Sequence, residues 1–365
     1  MPFDARATGG AQTDTRRDRQ LVAGWLFAVA AMILMMIVLG GATRLTGSGL
    51  SIMEWAPIGG ALPPLGEAEW QRLFHLYEQI PQYALLHQGF GLAGFKQIFW
   101  LEWVHRFWGR LIGVAFLGPL LCFWATGRIE PRLRPRLGLL FVLGGLQAAV
   151  GWFMVASGFL PDTTAVSPYR MVAHLGLALL LYAAILWTGL DVLRPEHGRT
   201  TAPGRLAAAT AGLVFATMLA GGFVAGLHAG LDYNTFPLMD GRLVPAGYAA
   251  LSPVWRNPLE NIAAVQFDHR LLATCTVIAA LATVAAGLAS SPDSSVRAAL
   301  LALAAAVVAQ YALGVATLLL VVPIELATAH QAGAVLLLTA ALVALHALRT
   351  ARWASGDHAA AAPSA

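Results

Sequence analysis

Four histidines occupy matched places in the two halves of this 365-residue chain. They are His105, His174, His269 and His330. Each lies just inside the start of a long apolar segment, a pattern typical of a membrane-spanning helix. Two imidazoles that face each other from neighbouring helices are the arrangement that ligates haem iron from both sides. A pair of histidines at one depth in each half therefore predicts iron porphyrin held between facing helices.

The composition indicates a membrane protein. Hydrophobic residues make up 58% of the chain and charged residues 12%, about half the charged share of a soluble domain. A helix needs about 20 apolar residues to cross the hydrocarbon core of a bilayer. The sequence predicts eight such spans, near residues 21–41, 104–124, 137–156, 170–190, 206–228, 264–287, 297–320 and 325–347. The predicted fold class is therefore all-α, a polytopic protein of the lipid bilayer.

The arginines alternate with the predicted spans. They precede the first span, follow the last, and lie between spans 2 and 3, 4 and 5, and 6 and 7. Positive residues stay on the cytoplasmic side, so both termini are predicted to be cytoplasmic. The net charge of +4 then follows from topology and does not indicate a nucleic-acid partner. Cys122 and Cys275 both fall within predicted spans, so no disulfide is expected in an outer loop.

An internal repeat relates the two halves. The matched residues are Gly40-Gly41 with Gly221-Gly222, His105 with His269, Gln147 with Gln310, Gly151 with Gly314, and His174 with His330. Four spans per half is an even number, so the halves share one orientation, and we expect two pseudo-symmetric four-helix bundles related by an axis along the membrane normal. The predicted divisions are a cytoplasmic tail 1–20, an N-terminal bundle 21–190 with a long outer loop 42–103, a cytoplasmic linker 191–205, a C-terminal bundle 206–347 and a cytoplasmic tail 348–365.

Zinc is the competing metal for these histidines. A zinc site needs two further ligands beside a histidine pair. The second half offers only Asp268, whose side chain points about 100° away from that of His269 on a helix. Haem needs two axial ligands and apolar walls, which the chain supplies. Arg106 and Arg270 follow their histidines and can pair with haem propionates or extend to the outer interface; the sequence leaves both open.

The halves differ beside the first histidine of each pair. Glu102 stands three residues before His105, on the same helical face, and Gln266 holds that place before His269. A buried carboxylate near iron can transfer protons or stabilise a cationic intermediate, whereas one at the membrane interface is a helix N-terminal charge. With the long first outer loop, this asymmetry indicates that the first half performs chemistry and the second holds a permanent cofactor.

The chain resembles the haem A synthase family, most closely its proteobacterial and mitochondrial branch. The runs that carry the resemblance span nearly the whole chain in order. They are GATRLTGSGLS (41–51), EWVHRFWGR (102–110), YRMVAH (169–174), GLDYNTFP (230–237), QFDHR (266–270) and AHQ (329–331).

The resemblance implies a reaction and a set of site residues. The reaction is oxidation of the C8 methyl of haem O to a formyl group by successive hydroxylations, which gives haem A for cytochrome c oxidase. His269 and His330 are implied to ligate a resident haem b, with Arg270 and Arg106 as further cofactor-binding residues. His105 and His174 are implied to face the substrate haem O, with Glu102 as the acidic catalytic residue beside them.

The resemblance also implies a cellular location and partners, and two other functions stay open as alternatives. The setting is the bacterial inner membrane with the haem sites toward its outer face, an electron donor that the sequence does not identify, and the farnesyltransferase that makes haem O as a partner suggested by the pathway. Whether the chain forms a homo-oligomer is open. A di-haem b cytochrome that oxidises quinol explains the four histidines equally well but not the difference between Glu102 and Gln266. A transporter with histidines in a proton path predicts no bound porphyrin.

Overall fold

The computed structural model describes residues 5–195, 201–290 and 293–351, with side chains from residue 16 onward. The named secondary-structure elements of these residues are all helices. They are α1 (Ala5–Leu45), α2 (Glu67–Tyr77), α3 (Pro81–Leu86), α4 (Leu92–Ala125), α5 (Arg134–Val155), α6 (Pro168–Leu193), α7 (Ala202–Gly226), α8 (Asn257–Glu260), α9 (Ile262–Ser290), α10 (Ser294–Leu319) and α11 (Ile324–Thr350).

Eight of these helices are long and apolar enough to cross a membrane, which confirms the predicted all-α class and number of spans. They are α1, α4, α5 and α6 in the first half and α7, α9, α10 and α11 in the second. Three of them begin with side-chain caps. Asn261 accepts hydrogen bonds from the amides of Ala263 and Ala264 at the start of α9. Thr201 accepts a hydrogen bond from the amide of Gly204 at the start of α7, and Asp293 accepts one from the amide of Ser295 at the start of α10. Such caps satisfy amides that have no partner within the helix.

The first outer loop is shorter than the sequence predicts. Helix α4 begins at Leu92, so residues 92–103, predicted as part of loop 42–103, are helical and the loop covers residues 46–91. The apolar pattern does not mark residues 92–103 as part of a span, because this end of α4 is not uniformly apolar. It is helical because one face packs against Trp70 of α2, whose ring contacts Phe95 and Phe99.

Helices also extend into two other segments that the sequence predicts as a tail and a linker. Helix α1 begins at Ala5, so most of the stretch predicted as tail 1–20 continues the first helix. The linker predicted at 191–205 shortens on both sides, since α6 ends at Leu193 and α7 begins at Ala202. The middle of that linker, 196–200, and the C-terminal stretch 352–365 lie outside the described residues.

The helices of each half pack in a ring. In the first half the order is α1, α4, α5, α6, and in the second it is α7, α9, α10, α11, with neighbours in contact and each ring closed by its first and last helix. The halves meet where α1 contacts α11, where α6 contacts α7, and where α6 contacts α11. These contacts are equivalent under the repeat, in which α1 matches α7 and α6 matches α11. A two-fold axis along the membrane normal stays a prediction.

Polar side chains cross between the halves near the outer ends of the helices. The amide of Gln331 on α11 donates to the carbonyl of Ile37 on α1 at 2.7 Å, and Arg44 donates to the carbonyl of Ala225 at 3.1 Å. A Cβ at Gly41 would lie 2.0 Å from Oε1 of Gln331, so a larger residue there would move the Gln331 amide. In the apolar interior such bonds fix the register of the two halves.

Ion pairs bring the arginine-rich segments to one end of the molecule. Arg19 pairs with Glu130 at 3.3 Å, which joins the start of α1 to the connection between α4 and α5. Arg136 pairs with Asp191 at 3.1 Å, which joins that region to the end of α6. The first-half segments that the sequence predicts as cytoplasmic therefore lie together.

We predict that labelling of single cysteines will separate the two faces. In a background with Cys122 and Cys275 replaced by alanine, Leu65→Cys, whose native side chain is 85% exposed in the first outer loop, should react with a membrane-impermeant maleimide in intact spheroplasts. Arg132→Cys, at a position with a 72% exposed side chain between α4 and α5, should react only after permeabilisation. The reverse pattern would contradict the predicted topology.

Candidate functional site

The four histidines come together in two pairs, one in each half. His105 on α4 and His174 on α6 lie within electrostatic reach of each other. His269 on α9 and His330 on α11 do the same in the second half. Each half thus presents two imidazoles from two of its four helices, as the sequence pattern predicts.

The imidazoles carried by α4 and α9 each lie against a glycine of a neighbouring helix. A Cβ at Gly40 of α1 would lie 3.2 Å from Nε2 of His105, and a Cβ at Gly221 of α7 would lie 3.0 Å from Cε1 of His269. Gly40 and Gly221 are partners in the repeat. The repeat therefore preserves the space that lets an imidazole lie directly on a helix backbone.

The same arrangement holds for the imidazoles carried by α6 and α11. A Cβ at Gly151 of α5 would lie 2.8 Å from Cε1 of His174, and one at Gly314 of α10 would lie 2.7 Å from Cε1 of His330. Real Cβ atoms essentially never come this close to another heavy atom. Any other residue at these two glycines would displace the ring.

A glutamine orients the second imidazole of each pair. Nε2 of Gln147 lies 3.2 Å from Nδ1 of His174 and donates to the carbonyl of that residue at 3.0 Å. Gln310 makes the matching contacts with His330 at 3.0 and 2.9 Å. Oε1 of both glutamines is buried without a hydrogen-bond partner in the described residues. An unmet buried acceptor is unfavourable; Oε1 of Gln310 lies against Gly333 of α11, where an added Cβ would be 2.2 Å away.

His269 has the hydrogen bond of a metal ligand. Its Nδ1 lies 3.1 Å from the carbonyl oxygen of Thr217. An N–H at Nδ1 donates to that oxygen and leaves the lone pair of Nε2 free. Histidines that bind metals are oriented in this way, with the second ring nitrogen donating to a carbonyl or carboxylate.

The ligand side chains in each half fit a metal ion that takes two ligands from the protein. No group of three or more His, Cys, Asp or Glu side chains suited to a metal occurs in the part of the chain that the structure describes. Asp268, the candidate for a zinc site, instead accepts a hydrogen bond from the hydroxyl of Tyr248 at 2.9 Å. Haem iron takes two axial histidines, and each half contributes two, one from each of two helices.

Glu102 is buried one turn before His105 and binds the first outer loop. Its side chain is 2% exposed and forms an ion pair with Arg106 at 2.6 Å. It also accepts hydrogen bonds from the hydroxyl of Ser51 at 2.7 Å and from the amide of Ile52 at 2.9 Å. Gln266, which is equally buried, holds the equivalent place beside His269.

Arg106 and Arg270 also bind the outer loops. The sequence suggests only that these arginines pair with haem propionates or extend to the outer interface. Arg106 donates to the carbonyls of Ile52 and Glu54, at 2.6 and 2.8 Å. Arg270 donates to the carbonyls of two residues of the loop between α7 and α9, at 2.6 and 2.9 Å. Nε of Arg270 is buried without a partner in the described residues.

The first half is more open between α4 and α5 than the second is between the matching helices α9 and α10. Gly144 on α5 is exposed, and a Cβ there would have no neighbour within 4 Å. The repeat places Val307 at the equivalent position of α10, where it is 1% exposed in the core. The equivalent position is thus open in the first half and packed in the core in the second.

A cleft of about 480 Å³ lies between the first outer loop and the outer part of α4. Arg72, Trp103, Arg106 and Arg110 are among its lining residues. Within it, hydrogen bonds from Arg72 hold the pKa of the Glu54 carboxyl below its usual range. The cleft gives the first half a second opening, on its outer side.

The internal repeat matches several of these residues between the halves but does not indicate what they contact. Gly151 and Gly314, and Gln147 and Gln310, were matched by the repeat, but their contacts with the histidines were not foreseen. The available signal was spacing, since each glycine follows its glutamine by four residues and so lies on the same helical face. Ser51 carried no such signal, because its role depends on a loop conformation.

Eight apolar helices long enough to span a membrane, with a half-buried histidine pair in each half, define a class of polytopic membrane protein. The model of a family described as cytochrome oxidase assembly protein (COX15-CtaA) matches residues 23–342. The chain belongs to this family.

Similar proteins extend over nearly the whole chain. A Granulibacter bethesdensis protein named Heme A synthase is 62% identical over 344 residues, covering 93% of this chain and 91% of the relative. A Rhodospirillum centenum protein of the same name is 50% identical over 331 residues, covering 90% and 88%. An Acidiphilium cryptum protein named Heme A synthase 2 is 46% identical over 351 residues, covering 94% and 95%.

We predict that Gly314→Ala will displace His330 and weaken metal binding in the second half about tenfold, the lower end of the effect of disturbing a ligand's surroundings. The measurement is the Soret absorbance per mole of purified protein. Gly212→Ala on α7 is the control, because its Cβ would meet nothing within 4 Å. Equal Soret absorbance in both variants would contradict the proposed role of the close contact.

Proposed function

We propose that the protein is a haem A synthase, an enzyme that oxidises haem O to haem A. The observation that carries the proposal is the 62% identity, over 93% of the chain, with a protein named Heme A synthase. The paired histidines of each half supply the ligands that such chemistry requires. The specific reaction we propose is oxidation of the C8 methyl to a formyl group by successive hydroxylations.

The second half is proposed to hold a resident haem b through His269 and His330. Its support is the hydrogen bond of His269 to Thr217 and the contact of His330 with Gln310, which orient both rings. When bound, haem b supplies a one-electron redox centre. Arg270, with its unpartnered Nε, is the residue of this half best suited to meet a propionate.

The first half is proposed to receive haem O between His105 and His174. Its support is the exposed position of Gly144 on α5, whose equivalent in the second half, Val307, is packed in the core. A substrate must enter and leave, whereas a resident cofactor stays, so the more open half suits the substrate. Glu102 was predicted as a catalytic residue of this half, and that role remains a prediction.

The setting we propose is the bacterial inner membrane, with both termini cytoplasmic and both haem sites toward the outer face. The eight apolar helices support the membrane location, and the arginine distribution supports the orientation. The electron donor, a contact with the farnesyltransferase that makes haem O, and a homo-oligomeric state stay predictions.

The most direct test is mass spectrometry of haems extracted from cells that make haem O, with and without this chain. Haem A should appear only when the chain is present. If the purified protein holds haem b but never converts supplied haem O in the presence of reductant and air, the alternative of a di-haem b electron-transfer cytochrome is favoured.

We predict that the two histidine pairs will respond differently to substitution. His269→Ala and His330→Ala should lose the resident haem b, because each removes an axial ligand. His105→Ala should retain haem b but form no haem A. The measurements are the visible spectrum of the purified protein and the haems extracted from it. Equal loss of haem b in all three variants would overturn the division between the halves.

We also predict that Gly144→Val will reduce haem A formation by introducing the residue found at the equivalent place of the closed half. The substitution costs the helix little, since valine is no poorer a helix former than glycine. Resident haem b should be unaffected. Gly138→Val, two turns toward the predicted cytoplasmic end and also free of neighbours within 4 Å, is the control. Unchanged activity in Gly144→Val would argue that haem O does not use this opening.

A further inference from the structure

Glu102 and Arg106 fasten one short segment of the first outer loop, residues 51–54, to α4. Glu102 accepts from the hydroxyl of Ser51 and the amide of Ile52. Arg106 donates to the carbonyls of Ile52 and Glu54. Because Ile52 is held through both its N–H and its C=O, its peptide groups are fixed in position and orientation. We refer to residues 51–54, so fastened, as the outer strap of the first half.

The second half contains an equivalent strap, which its arginine holds at the two matching carbonyls. Arg270 donates to the carbonyls of Tyr233 and Thr235. Tyr233 and Thr235 follow Ile52 and Glu54 by 181 residues, the offset that also relates the paired glycines at the end of α1 and α7. Gln266 takes the place of Glu102 and accepts from Arg270 at 2.6 Å.

The two loops differ in whether they donate or accept hydrogen bonds at this position. In the first, the loop presents donors, the hydroxyl of Ser51 and the amide of Ile52. In the second, it presents acceptors, the carbonyls of Ala229 and Asp232, to which Nε2 of Gln266 donates at 2.6 Å each. A carboxylate only accepts, whereas an amide also donates. The backbone of each strap therefore selects glutamate in one half and glutamine in the other.

The carboxylate of Glu102 has no acceptor position left for substrate chemistry. Two oxygens offer about four lone-pair directions. Oε1 accepts from Nε and Nη2 of Arg106 at 3.0 and 2.6 Å, and Oε2 accepts from Ser51 and Ile52. The side chain is 2% exposed. A proton transferred to this carboxylate would break one of these four bonds.

We propose that Glu102 is a positioning residue, which acts on the reaction by holding the outer strap of the first half beside His105. The strap follows α1, whose Gly40 lies against the His105 ring, and it is fastened to α4, which carries that ring. Glu102 thus fixes α1 and α4 relative to each other around the substrate. The inference rests on the proposed function, since it assumes that the first half receives haem O.

The first part of the test measures the strap itself, by amide hydrogen exchange of the full-length protein. Glu102→Gln places an amide opposite the N–H of Ile52, so exchange in residues 51–54 should become at least about tenfold faster, as expected for loss of a hydrogen bond to a charged group. Gln266→Glu should have the same effect on residues 232–235. Glu67→Gln, at an exposed carboxylate of the same outer loop, should change neither segment.

The second part measures substrate binding and turnover separately. Glu102→Gln should weaken haem O binding about tenfold, while the pH profile of its remaining kcat stays that of the native protein. Ser51→Ala, which removes one donor and keeps the carboxylate, should act in the same direction with a smaller effect. Resident haem b, read from the visible spectrum, reports that both variants are folded.

One pattern would overturn the proposal. It is loss of kcat in Glu102→Gln with unchanged haem O binding, unchanged exchange in residues 51–54 and native behaviour of Ser51→Ala, because Glu102 would then act directly on the substrate. Failure of the proposed function looks different. In that case the native protein makes no haem A, while Glu102→Gln still accelerates exchange in the strap.

Discussion

Each of the four imidazoles lies directly against the backbone of a glycine in a neighbouring helix, and the rest of the structure depends on these contacts. A Cβ at Gly314 would come within 2.7 Å of the His330 ring. Packed interiors do not absorb such an overlap without displacing something. The glycines therefore determine where each ring can lie, and helix packing fixes the glycines. The repeat of glycine and histidine in both halves is a repeat of this steric arrangement.

Within this common frame, two differences separate the halves. The contrast of Glu102 with Gln266 follows the polarity of the loop that each residue holds. The contrast of Gly144 with Val307 is one of shape, since the first position is exposed and the second is packed in the core. In the division of roles that we propose, this difference in shape would separate the half that exchanges its porphyrin from the half that retains it.

Much of the fold could be predicted from the sequence because bilayer spans and repeats are long-range regularities that packing does not alter. The number of helices, their all-α class and the histidine pairs all follow from such regularities. The start of α4 at Leu92 could not be predicted, because its outer turns are helical through contact with Trp70 of another helix. The role of Ser51 was equally hidden, since a loop hydroxyl gains its partner only when the loop is folded.

The central claim is that one chain contains two unequal porphyrin sites, one permanent and one for substrate. The most direct measurement is the amount and identity of porphyrin extracted from the purified native protein, per mole of chain. The account predicts one haem b per chain, together with a smaller and variable amount of haem O or haem A. Two haem b per chain, with no haem O or haem A under any condition of supply, would contradict it.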